Sequence, residues 1–140
     1  MSRVFWDSNL FIYLFEGYGT HSAQVASLRD RMQARNDQLF TSTLTLGEVL
    51  VKPIEKGDQE LRMKYEEALE RTATLIPLDK AAARIYATIR GDRTLKAPDA
   101  IQLACAAQAR VDLFITNDDR LSQKAIPGIQ FITSLERAFL

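Results

Sequence analysis

The sequence predicts an α/β protein with a three-layer α/β/α arrangement around a mainly parallel sheet of about four or five strands. Two observations carry this. Short apolar, β-prone runs alternate with helical patterns along the chain, and strands separated by helices pair in parallel. The chain also holds enough apolar matter for one core: 140 residues, 46% of them hydrophobic, where a disordered chain would be poorer. No repeat, low-complexity tract or linker-like stretch divides it, so residues 1–140 are expected to form one domain.

Arg3-Val4-Phe5-Trp6 reads as a strand that stops at Asp7. Leu10 to Phe15 reads as a short apolar helix ending near Gly17 and Gly19. Ser22 to Arg35 places Val25, Leu28 and Met32 on one face of a longer helix. Gln38 to Ser42 is the second strand. Thr43 is placed to cap a helix carrying Leu46, Val49 and Leu50, which Pro53 breaks. Asp58 caps the next helix, whose buried stripe is Leu61, Tyr65, Ala68 and Leu69. The i,i+4 pairs Glu60–Lys64, Arg62–Glu66 and Glu67–Arg71 mark its solvated side.

Leu75 to Leu78 is the third strand, and Pro77 assigns it to a sheet edge. Asp79 caps a helix running to Arg90, and 91–97 is a loop. Pro98 suits the first turn of a helix whose small residues Ala100, Leu103, Ala104 and Ala107 allow close approach to a sheet. Leu113 to Thr116 is the fourth strand. A short helix over 118–125, a fifth strand over 129–132 and a last helix over 134–139 complete the expectation.

Composition excludes several classes. Eighteen Lys and Arg balance eighteen Asp and Glu, so bulk positive charge does not capture nucleic acid. One cysteine, Cys105, allows no internal disulfide, and one histidine, His21, allows no zinc site built mainly from His and Cys,. The longest charge-free run, Gly17 to Leu28, is polar and too short to span a bilayer. The first residues, with Asp7 and Glu16 around the apolar stretch, do not resemble a signal peptide. A cytoplasmic protein without membrane association is expected.

In doubly wound sheets, ligands bind outside the carboxyl ends of the strands. Asp7 follows the first strand, and Asp118 follows Leu113 to Asn117. Glu48 lies one turn into the helix after the second strand. Asp99 sits in the first turn after Pro98, where the positive helix end favours a carboxylate by about 0.3–1 kcal/mol. An N-cap role explains Asp7 or Asp118 taken singly, the helix dipole explains Asp99, and a solvated helix face explains Glu48. Together they place three or four acids at one sheet edge. Crowded carboxylates raise one another's pKa unless a cation intervenes. Mg²⁺ and Mn²⁺ accept such an all-oxygen donor set, and the chemistry suits phosphodiester hydrolysis.

The segments Phe5-Trp6-Asp7-Ser8-Asn9, Ser42-Thr43-Leu44-Thr45-Leu46-Gly47-Glu48-Val49, Pro98-Asp99-Ala100-Ile101 and Ile115-Thr116-Asn117-Asp118 resemble, in order and spacing, the PIN domain family. Among its members the chain is most similar to VapC-type ribonuclease toxins of toxin–antitoxin pairs. The resemblance implies a metal-dependent endoribonuclease with Asp7, Glu48, Asp99 and Asp118 as the cluster binding Mg²⁺ or Mn²⁺. It implies Asn9, Thr116 and Asn117 as supporting residues, and single-stranded or loop RNA as substrate. It also implies an antitoxin partner and a homodimer. Asp119 is a weaker match than Asp118, and Ser8 stands where many relatives carry Thr.

Arg90, Arg93 and Lys96 precede Asp99, and Arg120 and Lys124 follow Asp118; these are the candidate RNA contacts. Arg29, Arg31 and Arg35 are weaker candidates. Setting aside the four acids leaves 18 basic residues against 14 acidic, so the balance conceals a mildly basic remainder. The apolar helix with Phe11, Ile12, Tyr13, Leu14 and Phe15 is expected to be mostly core, with some surface left for a partner. His21 reads as a surface residue and Cys105 as a buried, inert thiol. Two other functions fit less well. A haloacid-dehalogenase-type phosphatase requires an Asp where Asn9 stands, and a receiver domain requires tandem acids near the first strand, whereas Asp118-Asp119 come late. A non-catalytic PIN-like binding module is the remaining alternative.

Overall fold

A computed structural model describes residues 1–140. The sheet has five parallel strands in the order β3-β2-β1-β4-β5. They are β1 (Arg3–Trp6), β2 (Gln38–Ser42), β3 (Thr74–Ile76), β4 (Leu113–Thr116) and β5 (Phe131–Ser134). The helices are α1 (Ser8–Glu16), α2 (Thr20–Arg35), α3 (Thr43–Val49), α4 (Val51–Glu55), α5 (Gln59–Thr72), α6 (Lys80–Ile89), α7 (Ala97–Gln108) and α8 (Asp119–Ser122).

Successive residues of β1 face opposite layers, so an unbroken apolar strand serves two cores at once. Phe5 and Phe114 meet Ala100, Leu103, Ala104 and Ala107 of α7 and Ile89 of α6. Their rings stack with centroids 5.1 Å apart. Val4, Trp6, Leu113 and Ile115 meet Leu10 and Phe11 of α1, Val25, Leu28 and Met32 of α2, and Leu69 of α5. This is the expected α/β/α layering. Cys105 lies in the α7 layer, fully buried, with its thiol pushed up to about 11 by burial and by Asp79. No helix is long and apolar enough to cross a membrane.

Local chemistry accounts for the boundaries. Asp7, Asp58 and Asp79 cap α1, α5 and α6 by accepting from the backbone N–H groups of Ser8, Leu61 and Ala82,. β3 ends at Ile76, before Pro77, and lies at the edge. Thr43 is not the cap of α3; Ser42 occupies that position, and its hydroxyl donates to Gln102 instead. The helical pattern breaks at Leu50 rather than at Pro53, which lies in the first turn of α4, where a missing N–H costs little,.

The end of the chain differs from expectation. The fifth strand is Phe131–Ser134 because Gly128, at φ +97°, makes a turn against Ala107 and leaves Ile129 in the core before the strand starts. No helix follows over 134–139. Ser134 pairs with Thr116, Leu135 N–H bonds the Thr116 carbonyl, and the few residues left are too short for a cooperative helix,. The 118–125 helix contracts to Asp119–Ser122.

Replacing Phe114 by Ala, which removes the ring stacked between β1 and α7, is expected to cost about 3–5 kcal/mol. The shift of the urea midpoint measures it.

Candidate active site

Strand order places the site. The chain runs from β1 outward to β2 and β3, then returns to the other side of β1 as β4. The reversal leaves a crevice at the carboxyl ends of β1 and β4. Asp7 stands there, its backbone N–H bonding the Ile115 carbonyl at 3.0 Å.

The Asp7 side chain is only 7% exposed. One carboxylate oxygen accepts from Ser8 N–H at 2.9 Å, the other from the Thr116 hydroxyl at 2.8 Å. Burial nevertheless lifts its pKa to about 6; the two hydrogen bonds oppose the rise, and the charges of Asp99 and Glu48 add to it,. Thr116 also accepts from Asp118 N–H at 3.0 Å, so one buried hydroxyl ties the acid after β1 to the acid after β4.

Glu48, half-buried on α3, accepts from the Ser8 hydroxyl at 3.1 Å. Asp99, in the first turn of α7, is half-buried and raised by burial and by Asp118. Asp118 is lowered, chiefly because Arg120 donates to both its oxygens, at 3.1 and 2.7 Å. The same guanidinium stands 3.9 Å from Asp99. Arg120 is thus a counter-ion lodged between two of the candidate ligands.

The four acids converge without closing into a ready-made shell. Asp7 senses Asp99 and Glu48, and Asp99 senses Asp118. No group of three or more acidic, His or Cys side chains is arranged to hold one ion. The Ser8 hydroxyl draws Glu48 toward the Asp7 side, while Arg120 occupies the space between Asp118 and Asp99. The residues fit a hard divalent cation all the same. All donors are oxygens, the buried Asp7 carries uncompensated like charges beside it, and the site already draws a cation in Arg120. Mg²⁺ usually needs only one or two carboxylates and keeps its waters.

Among the supporting candidates, Thr116 is buried, Asn117 donates to the Tyr13 hydroxyl at 2.8 Å, and Asn9 is exposed on the first turn of α1. His21 is exposed, its ring stacked on Tyr13. A groove of about 430 Å³ opens beside Asp99, lined by Thr94, Leu95, Asp119, Arg120, Gln123 and Lys124 among others. Lys124 bonds Asp92 and Thr94 at 2.9 and 2.8 Å. Lys96 lies close enough to oppose the rise of Asp99 and to add to the lowering of Asp118. Arg93 is exposed, and Arg90 bonds the Tyr86 hydroxyl at 3.0 Å. A larger cleft, about 670 Å³, lies beyond the opposite ends of β4 and β5. Its single acid, Asp112, bonds Arg3 N–H, and it gathers no cluster of ionisable groups.

Sequence reasoning missed Ser8 as the partner of Glu48, Tyr13 as the partner of Asn117, and a buried polar set formed by Thr41, Ser42, Thr45 and Gln102. One signal was present for the last: Gln102 interrupts an Ala- and Leu-rich helix.

The fold and this edge of carboxylates define a class. The chain belongs to the PIN domain family, whose model matches residues 4–127. Solved structures share the architecture. A toxin–antitoxin complex from Klebsiella pneumoniae is 26% identical, over 90% of this chain and 94% of that one, with a TM-score of 0.67. VapBC2 from Rickettsia felis, bound to a DNA fragment from its promoter, is 13% identical, over 94% and 97%, with a TM-score of 0.73. VapBC-5 from Mycobacterium tuberculosis is 20% identical, over 95% and 99%, with a TM-score of 0.63. A comparison with curated protein sequences gives no significant match.

Asp7 keeps its proton longer in the folded chain than in the unfolded one, where its value is near 3.8. Its contribution to stability therefore falls as pH rises from about 4 to about 6 and stays low above that. Asp7→Asn is expected to be more stable than wild type at pH 7 by about 1–3 kcal/mol, with the difference closing toward pH 4. Urea titrations in EDTA at several pH values measure this.

Proposed function

We propose that this PIN domain is a metal-dependent endoribonuclease and the toxin of a type II toxin–antitoxin pair. The observation that carries the reading is the buried Asp7 carboxylate with the charges of Asp99 and Glu48 acting on it, Asp99 itself lining an open groove that also holds Arg120 and Lys124. Asp7, Glu48, Asp99 and Asp118 would hold Mg²⁺ or Mn²⁺. Bound there, the ion supplies charge stabilisation for a phosphodiester under attack and lowers the pKa of water.

The chain's own residues do the positioning. Thr116 fixes the rotation of the Asp7 carboxylate, and Ser8 holds Glu48 beside it. Asn117, which donates to the Tyr13 hydroxyl, and the exposed Asn9 would orient ligand or water. Arg120 and Lys124, which line the groove, together with Lys96, Arg93 and Arg90 from the segment before Asp99, would give an RNA backbone cations to follow without requiring a basic protein,. Arg120 has a second part: it neutralises Asp118 and stands beside Asp99, and with a divalent cation held by those acids its guanidinium would be free to pair with a phosphate.

The partner reading rests on the similar solved toxin–antitoxin complexes and on one surface. Lys52 of α4 bonds Glu16 and Tyr18 at the end of α1, and Tyr18, Val51 and Ile54 remain exposed around it. An apolar patch of this kind suits an antitoxin segment. A homodimer accords with the family resemblance, and a cytoplasmic location with an RNA target.

The expected outcome is RNA cleavage by wild type with Mg²⁺ or Mn²⁺, abolished by EDTA and reduced more than about a hundredfold by Asp7→Asn or Asp99→Asn. Sequencing of RNA ends after controlled expression identifies the target. Equal cleavage by all three proteins would overturn the site assignment. Absence of metal binding alongside tight partner binding would favour a non-catalytic module. Lys96→Ala is expected to weaken RNA binding across sequences and to reduce the slope of log K against log salt by about 0.7.

A further inference from the structure

A buried polar chain runs beneath the acids. Ser42 Oγ of β2 donates to Gln102 Oε1 on α7. Gln102 Nε2 donates to the Thr45 hydroxyl of α3 at 2.9 Å. The hydroxyls of Thr45 and Thr41 bond to each other at 2.8 Å, and Thr41 donates to the Trp6 carbonyl of β1 at 2.9 Å. Each hydroxyl carries one proton, so the chain has one direction, from the Gln102 amide to the Trp6 carbonyl. Thr41, Ser42 and Thr45 are fully buried and Gln102 is 2% exposed. None of their side-chain polar atoms is left without a partner.

The members are placed with respect to the acids. Gln102 is one helical turn after Asp99 on α7, Thr45 is one turn before Glu48 on α3, and Trp6 immediately precedes Asp7. Elements carrying three of the four acids are therefore joined by hydrogen bonds rather than by apolar contact alone. Apolar packing tolerates sliding; a directional chain in a dry interior does not, because a shift leaves buried donors unpaired.

We infer that Gln102 is a positioning residue that, through Thr45, Ser42 and Thr41, fixes α3 and α7 against β1 and so sets the spacing of Glu48 and Asp99 about Asp7. This rests on the metal-binding reading of those acids. Gln102 touches none of them. It acts by holding two helices in register, and the Ser42 hydroxyl that would otherwise cap α3 is spent on it.

The test is Mn²⁺ titration of the full chain by calorimetry, with near-ultraviolet circular dichroism as the check of folding. Gln102→Leu and Thr45→Val are expected to weaken Mn²⁺ binding about tenfold, in the range seen when partners behind metal ligands are removed. Thr45→Ser, which keeps the hydroxyl, retains wild-type affinity. Val25→Ala, a destabilising change in the core of α2 away from the polar chain, lowers thermal stability and leaves Mn²⁺ affinity unchanged. Where Gln102→Leu fails to fold, the Thr45 pair gives the answer. Wild-type affinity in folded Gln102→Leu and Thr45→Val, or an equal loss in Val25→Ala, overturns the inference while leaving wild-type Mn²⁺ binding and RNA cleavage intact. A wild-type protein that neither binds Mn²⁺ nor cleaves RNA overturns the metal reading itself, and the inference with it.

Discussion

The parallel pairing of β1 with β4 is the constraint on which the rest of the molecule depends. Val4, Phe5 and Trp6 sit in register with Leu113, Phe114 and Ile115. That register carries Asp7 and Thr116 to the same level at the sheet's edge, where the Thr116 hydroxyl closes on the Asp7 carboxylate. Because the strand order reverses here, the segments after the two strands diverge and leave the edge open. A slip of β4 by one residue would turn Phe114 into the layer opposite Phe5 and carry the Thr116 hydroxyl away from the acid,. Core packing and site geometry are thus fixed by one set of contacts.

The site is held under electrostatic tension. An acid kept almost entirely from water is given two hydrogen bonds, too few to offset its burial, and two like-charged neighbours. Asp118 escapes the same strain by taking Arg120 as its counter-ion. Folding alone leaves the pocket short of positive charge. A net charge of zero thus conceals a local imbalance at this edge.

The strands were the most legible part of the sequence. Arg3–Trp6 and Leu113–Thr116 carry three consecutive apolar residues each and Gln38–Ser42 carries Leu39 and Phe40, and all three appear with those limits. The Asp58 and Asp79 caps were legible too, since capping is a local event. The chain end was misread because Thr133 and Ser134 obey their neighbours in β4, which local propensity does not register. Similarly, Ser42 is drawn from the cap of α3 by Gln102, sixty positions away. The identities of the four acids could be proposed from motif order. Their spacing could not, for it depends on Arg120, Ser8 and the buried polar chain, whose effects arise only once the layers close.

Cys105 gives the molecule a property apart from any reaction. It is the only thiol, sealed within α7 and held protonated at neutral pH. A thiol reagent therefore finds nothing to modify until α7 parts from the sheet. Since the same helix bears Asp99 and Gln102, the rate of modification becomes a clock for the opening of that helix, readable without altering a residue. The protein carries its own probe of how long its acidic edge stays assembled.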